Sequence, residues 1–198
     1  DDPALLGYFL HNEPPWDWHP AGVAATMLEQ TPECRTRRVL ASLLRRKYGS
    51  SGGLRKAWGM KDISLAQIAE GRLAPSYPEA AQADLRAFST VMLSRLLDHL
   101  GAACRSVDPH HLNLGIRWWT FPPVWALKAM GSCDVVSFNY YLPRVGRVGY
   151  GRDKETGVDE VAEGLNRPFL VGEWHFGALD GGQTGAGLYR AANQVDEF

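Results

Sequence analysis

Short apolar runs that stop at a polar or charged residue recur along this chain. The first, Leu5-Leu6-Gly7-Tyr8-Phe9-Leu10, gives way to His11-Asn12-Glu13 before Pro14-Pro15 halts it. A run of that length between turn signals predicts a buried strand over 4–11 that carries an acid to its C-terminal tip. The pattern returns at Leu112 to Trp118, at Asp134 to Tyr140 and at Pro168-Phe169-Leu170-Val171-Gly172-Glu173-Trp174, where a second carboxylate closes the run. Four strands are thus expected, near 4–11, 112–118, 134–140 and 168–173.

Between them the apolar period lengthens to that of a helix. Val39, Leu40, Leu43, Leu44 and Tyr48 form one stripe over 33–48, with Arg37, Arg38, Arg45, Arg46 and Lys47 largely outside it as a solvated basic face. Shorter helices are expected at 53–59 and 64–70. A long one is expected over 78–105, with Leu85, Phe88, Met92, Leu96 and Leu100 facing inward. A helix opens at Pro122-Pro123 and runs to Met130. Another is expected at 159–165, and a last one begins at Leu188. The Pro-, Trp- and His-bearing stretch 14–32 reads as a long loop, as do the Gly/Arg-rich 142–158 and the glycine-rich 177–187. Buried strands alternating with helices predict a parallel α/β sheet. A closed (β/α)8 barrel needs eight strands and about 250 residues. The expected architecture is therefore a partial TIM barrel of about four strands, one domain over 1–198, with a helical elaboration at about 33–105.

Composition changes this picture little. The 198 residues are 45% apolar and 22% charged with a net charge of −1, which points to neither a nucleic-acid nor a membrane partner. No apolar run approaches ~20 residues. The chain has no initiator Met and enters a strand almost at once, so it is expected to be a piece of a longer protein; compartment and oligomeric state stay open. Cys34, Cys104 and Cys133 lack metal-site or disulfide spacing and are expected to be buried free thiols. His110-His111 after Asp108-Pro109 reads as a turn, since adjacent residues point apart. Gly49-Ser50-Ser51-Gly52-Gly53 fits a nucleophile-elbow pattern in letters only: a helix precedes it where a strand is required, so it is read as a helix stop.

The chemistry is expected at the strand tips. In a barrel of parallel strands, both acid-bearing tips open into one mouth. Two carboxyl groups across a cleft are the equipment of glycoside hydrolysis. Seven Trp and seven Tyr supply aromatic faces that stack on sugars or fill cores.

Asn12-Glu13-Pro14 and Gly172-Glu173 resemble the two signature strand ends of clan A glycoside hydrolases, the retaining (β/α)8 enzymes, on strands four and seven. Tyr48-Gly49, Leu54-Arg55-Lys56-Ala57-Trp58-Gly59, Asp108-Pro109-His110-His111-Leu112 and Asp134 to Tyr141 resemble segments of family 42 β-galactosidases and related agarases. The resemblance implies a glycosidase that cleaves β-linked galactosides or a related polysaccharide by double displacement. Glu13 would be the acid/base and Glu173 the nucleophile. Asn12 would bind the sugar 2-hydroxyl, and Tyr141, or Tyr140 if the strand parity slips by one, would touch the nucleophile. Arg117 and Asn139 end strands at the same mouth and are expected substrate contacts. Trp16, Trp118, Trp174 and His175 are candidate sugar contacts that serve equally well as packing residues. No metal or organic cofactor is implied, and the partner is a carbohydrate. A carbohydrate-binding barrel without catalysis and a transglycosylase of the same fold are the other readings.

Overall fold

A computed structural model of the chain describes residues 2–16, 19–73, 76–140, 167–174, 177–178 and 190–191, with 140, 174, 177–178 and 190–191 by backbone only. Its contacts divide into two units, Pro15–Leu93 and Asp1–Pro14 with Ser94–Phe198.

The second unit holds the strands. β1 (Gly7–Tyr8) pairs in parallel with β3 (Leu112–Asn113), and β2 (His11–Asn12) with β4 (Ile116–Trp118). The register offset is the same in both pairs. Leu114 N–H donates to the Tyr8 carbonyl at 2.9 Å and Leu10 N–H to the Gly115 carbonyl at 2.7 Å, so the ladder continues between them. β1–β2 is therefore one expected strand and β3–β4 another, bent at Gly115. That glycine has φ +66°, and a Cβ there would lie 2.8 Å from Cys133 Sγ. β5 (Val136–Tyr140) and β6 (Phe169–Trp174) complete a parallel sheet of order β2-β4-β5-β6. The four expected strands are all present, in sequential order, but the first is not the buried strand expected: Leu5, Leu6, Tyr8 and Phe9 are exposed.

Side chains alternate along this sheet. Ile116, Trp118, Val136 and Phe138 are buried on one face, where the Phe138 ring lies 4.3 Å from that of Phe121 and 5.9 Å from that of Phe169. Helix α6 (Val124–Leu127) and a 3-10 turn at Met130–Ser132 replace the longer helix expected to Met130, and Trp125, Ala126, Leu127 and Met130 are buried. The opposite face carries Arg117, Ser137 and Asn139. One expectation fails at the far end. Arg190–Ala191, expected in a helix, forms strand β8, parallel to β7 (Gly177–Ala178); so short an apolar window fits either structure. The expected helix at 159–165 lies outside the described residues.

At the opposite end of the strands, Asp108 organises a turn, as expected for Asp108-Pro109-His110-His111. Its carboxylate accepts from the Tyr8 hydroxyl at 2.7 Å, from the backbone N–H groups of His110 and His111, and lies 2.6 Å from His111 Nδ1. The Tyr8 bond first, then those of His111 and His110, hold Asp108 well below the usual carboxylate range. His111 is raised, first by its contact to the Asp2 carbonyl and then by Asp108. A depressed acid stabilises the fold above its ordinary value of 3.8, and that contribution fades as pH falls through the folded value. The raised imidazole contributes below its ordinary 6.5, and that share fades as pH rises through its folded value. The melting temperature of Asp108→Asn is expected to fall furthest below wild type between these two values and to converge on it in strong acid, as read by thermal unfolding across pH.

The first unit is helical. It contains α1 (Val23–Gln30), α2 (Arg35–Tyr48), α3 (Ser51–Trp58), α4 (Leu65–Ala69) and α5 (Glu79–Val107) as far as Leu93. Leu28, Leu40, Leu44, Leu54, Trp58, Ile68 and Leu85 form its core. Helix α1 lies inside the expected loop 14–32: Ala24, Ala25, Met27 and Leu28 are buried, and Gly22 offers no side-chain cap to announce the start. Gly49, at φ +76°, does end α2, and Ser50 Oγ caps α3 by accepting from Gly53 N–H at 3.2 Å. On α5 the buried stripe turns one residue from expectation beyond Phe88, to Leu93 and Leu97, leaving Leu96 exposed.

The basic face of α2 also needs correction. Arg37 is fully buried, and its guanidinium donates to the carbonyls of Ile68, Leu28, Thr31 and Gln67 at 2.6–3.3 Å. A planar five-donor fork can gather four carbonyls; an ammonium cannot. Burial pulls its pKa down without removing the charge. Arg37→Met would strand several buried acceptors at about 1–3 kcal/mol each. It is expected to destabilise the full-length protein by at least about 3 kcal/mol in denaturant unfolding, with Arg37→Lys recovering only part. Of the three free thiols only Cys133 is buried, its pKa pushed up to about 11 by burial; Cys34 and Cys104 are half-buried.

Candidate active site

Strand polarity brings the acids to one end. Glu13 follows β2 and Glu173 lies in β6, both at the C-terminal ends of parallel strands. Glu13 stands apart in its backbone. Among the described residues it is the one non-glycine with positive φ, +44°. It also precedes Pro14, which favours extended backbone in the residue before it. Such a conformation costs on the order of 1–3 kcal/mol and gathers at functional sites. Its N–H is tied to the Arg117 carbonyl at 2.8 Å.

A bulge aims the second acid. Phe138 pairs with Val171, but Asn139 pairs with Glu173, so Gly172 is the extra residue. The bulge switches parity: Val171 belongs to the face of Phe138, whereas Glu173 joins Asn139 on the polar face. Gly172 is required there for a second reason. A Cβ on it would sit 2.6 Å from Arg117 Cδ and 2.9 Å from Ser137 Oγ. The missing side chain is the passage for the arginine.

Arg117 uses that passage to reach both neighbours. Its Nε donates to Asn12 Oδ1 at 2.7 Å, and a terminal nitrogen pairs with Glu173 Oε1 at 2.7 Å. Asn139 Nδ2 donates to Glu13 Oε1 at 2.5 Å. The Arg117–Asn12 contact joins register partners on adjacent strands, whereas the other two each skip a strand. Asn139 on β5 meets Glu13 past β4, and one side chain on β4 links β2 to β6. Strands lie about 4.8 Å apart, so a flat sheet would separate such partners by about 10 Å of backbone. Side chains bridge that gap in two sets, Asn139 with Glu13 and Arg117 with Asn12 and Glu173, and the Glu13 N–H to Arg117 carbonyl bond joins the sets.

Gly172→Ala is expected to push the Arg117 stem aside and release Glu173 and Asn12. Misplacement of a positioned group by about 1 Å can cost about 100-fold in rate, and a loss of that order is expected in kcat/KM of the full-length protein. Arg117→Ala combined with it should add little further; unchanged activity in Gly172→Ala would mean that the placement of Arg117 is unimportant.

The other expected site residues divide. Trp118 is core rather than sugar platform: it is 0% exposed, with its indole N–H directed at Met130 Sδ, 3.4 Å away. Strand alternation puts it on the face opposite Arg117. Its neighbour Trp119, not singled out from the sequence, is 42% exposed. Trp16 is partly exposed in the helical unit. The Tyr140 backbone pairs with that of Trp174; the side chains of both, and Tyr141 and His175 entirely, lie outside the described residues. Sequence reading also missed Ser137, fully buried two residues before Asn139. The polar alternation Ser137-Phe138-Asn139 within an apolar strand was the signal for it. Among the described residues no three His, Cys, Asp or Glu side chains converge as a metal site, and no helix is long and apolar enough to cross a membrane.

No family model matches the chain. Curated relatives are beta-agarase B of Vibrio sp. (strain JT0107), 26% identical over 99% of this chain, and beta-agarase A of the same strain, 25% identical over 97%. The chain spans about a fifth of the length of each. Among solved structures it superposes on the agarase AgWH50C with a TM-score of 0.78 at 28% identity, covering 97% of this chain and 27% of that one. An exo-beta-agarase gives 0.77 at 28%, covering 97% and 26%. Over nearly its whole length, then, this chain is similar in sequence and in fold to one segment of agarases.

Proposed function

We propose that this chain is the part of a retaining β-glycoside hydrolase that carries both catalytic carboxylates, on strands four and seven of a (β/α)8 barrel of the clan A type. One observation carries the reading. Two glutamates sit at the C-terminal ends of parallel strands of one sheet, three strands apart in order; Asn139 holds the first, and Arg117 holds the second together with Asn12, the residue before the first. The agarase likeness supports the substrate class, a β-linked galactan.

The chemistry proceeds in two displacements. Glu13 gives its proton to the glycosidic oxygen as the bond to the anomeric carbon breaks. Glu173 attacks that carbon from the opposite face and forms a glycosyl ester. Glu13, now a carboxylate, takes a proton from water, and the water oxygen displaces Glu173. Two inversions leave the configuration unchanged. Arg117 fixes the carboxylate of Glu173 and the amide oxygen of Asn12, which leaves the Asn12 NH2 group to donate to a sugar hydroxyl. No cofactor enters these steps.

The test is to give the full-length protein agarose and follow reducing ends, with proton NMR of the first-formed anomer. Release of the β-anomer before mutarotation is expected. An α-anomer first would overturn retention, and no cleavage of agarose or of any β-galactoside would overturn the proposal.

A further inference from the structure

Asn139 is 1% exposed, and among the described residues its amide is bound at one end only. Nδ2 donates to Glu13 Oε1. Its Oδ1 is buried and has no hydrogen-bond partner among the described residues. Buried amides are ordinarily pinned at both ends, which fixes their orientation. Here the single anchor is Glu13, the group that must pass between acid and carboxylate in each turnover, if the reading above holds. The terminal torsion of an Asn side chain is broad and roughly two-fold, so the amide can exchange its ends. Among the described residues that exchange forfeits no other bond.

From this geometry we infer that Asn139 is a positioning residue for the acid/base, serving it in both protonation states. With Glu13 ionised, the Asn139 NH2 group donates to the carboxylate. With Glu13 protonated and no substrate bound, the amide turns and Oδ1 accepts the Glu13 O–H, until a bound glycosidic oxygen takes that proton in its place. Glu13 needs such a partner because its own backbone is strained and lies beyond the last residue of β2. The backbone of Asn139 is held centrally in the sheet, at the bulge that also sets Glu173. One strand position thus places the acid/base through a side chain and the nucleophile through the ladder.

The alternative occupant of the Asn139 amide is a sugar hydroxyl, and the two differ in measurable ways. In the full-length protein, kcat/KM is compared for phenyl and 2,4-dinitrophenyl glycosides of the sugar the enzyme releases. That ratio reports only the steps through glycosylation, and dinitrophenolate leaves without proton assistance. Asn139→Leu is expected to lose about 100-fold on the phenyl glycoside, the scale of general acid catalysis, and less than about threefold on the dinitrophenyl one. Glu13→Ala should show the same split, and Glu13→Ala/Asn139→Leu should fall no lower than Glu13→Ala alone. Asn139→Asp, nearly isosteric, keeps an acceptor but sets a carboxylate against Glu13; it should move the alkaline limb of the pH profile upward, and it carries the test should the leucine variant fail to fold. Equal losses on both glycosides, additivity with Glu13→Ala, or an unmoved alkaline limb would overturn the inference and leave Asn139 as a sugar or packing residue. If Glu13→Ala itself fails to discriminate between the leaving groups, the acid/base assignment falls and the inference with it.

Discussion

Glu173→Ala in the full-length protein is expected to lower turnover of a β-galactoside by about 10⁴-fold or more, the scale of losing an enzyme's nucleophile. The alanine leaves space where the carboxylate stood, beside the guanidinium of Arg117. Azide, a small anion, can enter that space and attack the anomeric carbon of an activated β-glycoside. The product should then be the α-glycosyl azide, formed by one inversion where the proposed reaction has two. Rescue with that stereochemistry separates loss of the nucleophile from loss of the fold. Residual activity within about tenfold of wild type would refute the assignment.

Glu13→Ala is expected to act through the leaving group. On substrates that need protonation the loss should be about 10²–10⁴-fold, the range of general acid–base catalysis. On dinitrophenyl glycosides glycosylation should survive, and the glycosyl-enzyme should accumulate for want of a base. Azide then attacks that intermediate at the face Glu13 would have served and yields the β-glycosyl azide. Opposite azide anomers from the two variants would assign the two roles independently.

Much of the scaffold was legible because hydrophobic pattern governs it. All four strands stood out as short apolar runs, and the two glutamates as the charged residues that end them, although the first run proved largely exposed rather than buried. The sequence leaves Trp118 open between sugar contact and packing. Aromatic content suggested a sugar platform, whereas Ile116 and Trp118 share the buried face and Arg117 alone of the three turns to the site. The Gly172 bulge left no mark that a two-residue period can reveal, since it is a single insertion visible only against its partner strand. Arg37 shows the converse failure. A basic residue beside other basic residues reads as solvated, and only the carbonyls left over by α1 and α4 explain its burial. Helix α1 was hidden by Pro, Trp and His before it and by the absence of a capping side chain. The Asn139–Glu13 contact joins residues 126 apart in the chain and was beyond any local pattern.

The central claim is that Glu173 forms the covalent intermediate. The most direct measurement treats the full-length protein with a 2,4-dinitrophenyl 2-deoxy-2-fluoro-β-galactoside, whose fluorine slows release of the glycosyl-enzyme. Intact mass then counts the label, and peptide mapping locates it. One sugar per chain, esterified to Glu173 and absent from Glu173→Ala, is the predicted result. A label on another carboxylate, or an active enzyme that takes up no label and releases the inverted anomer, would contradict the account.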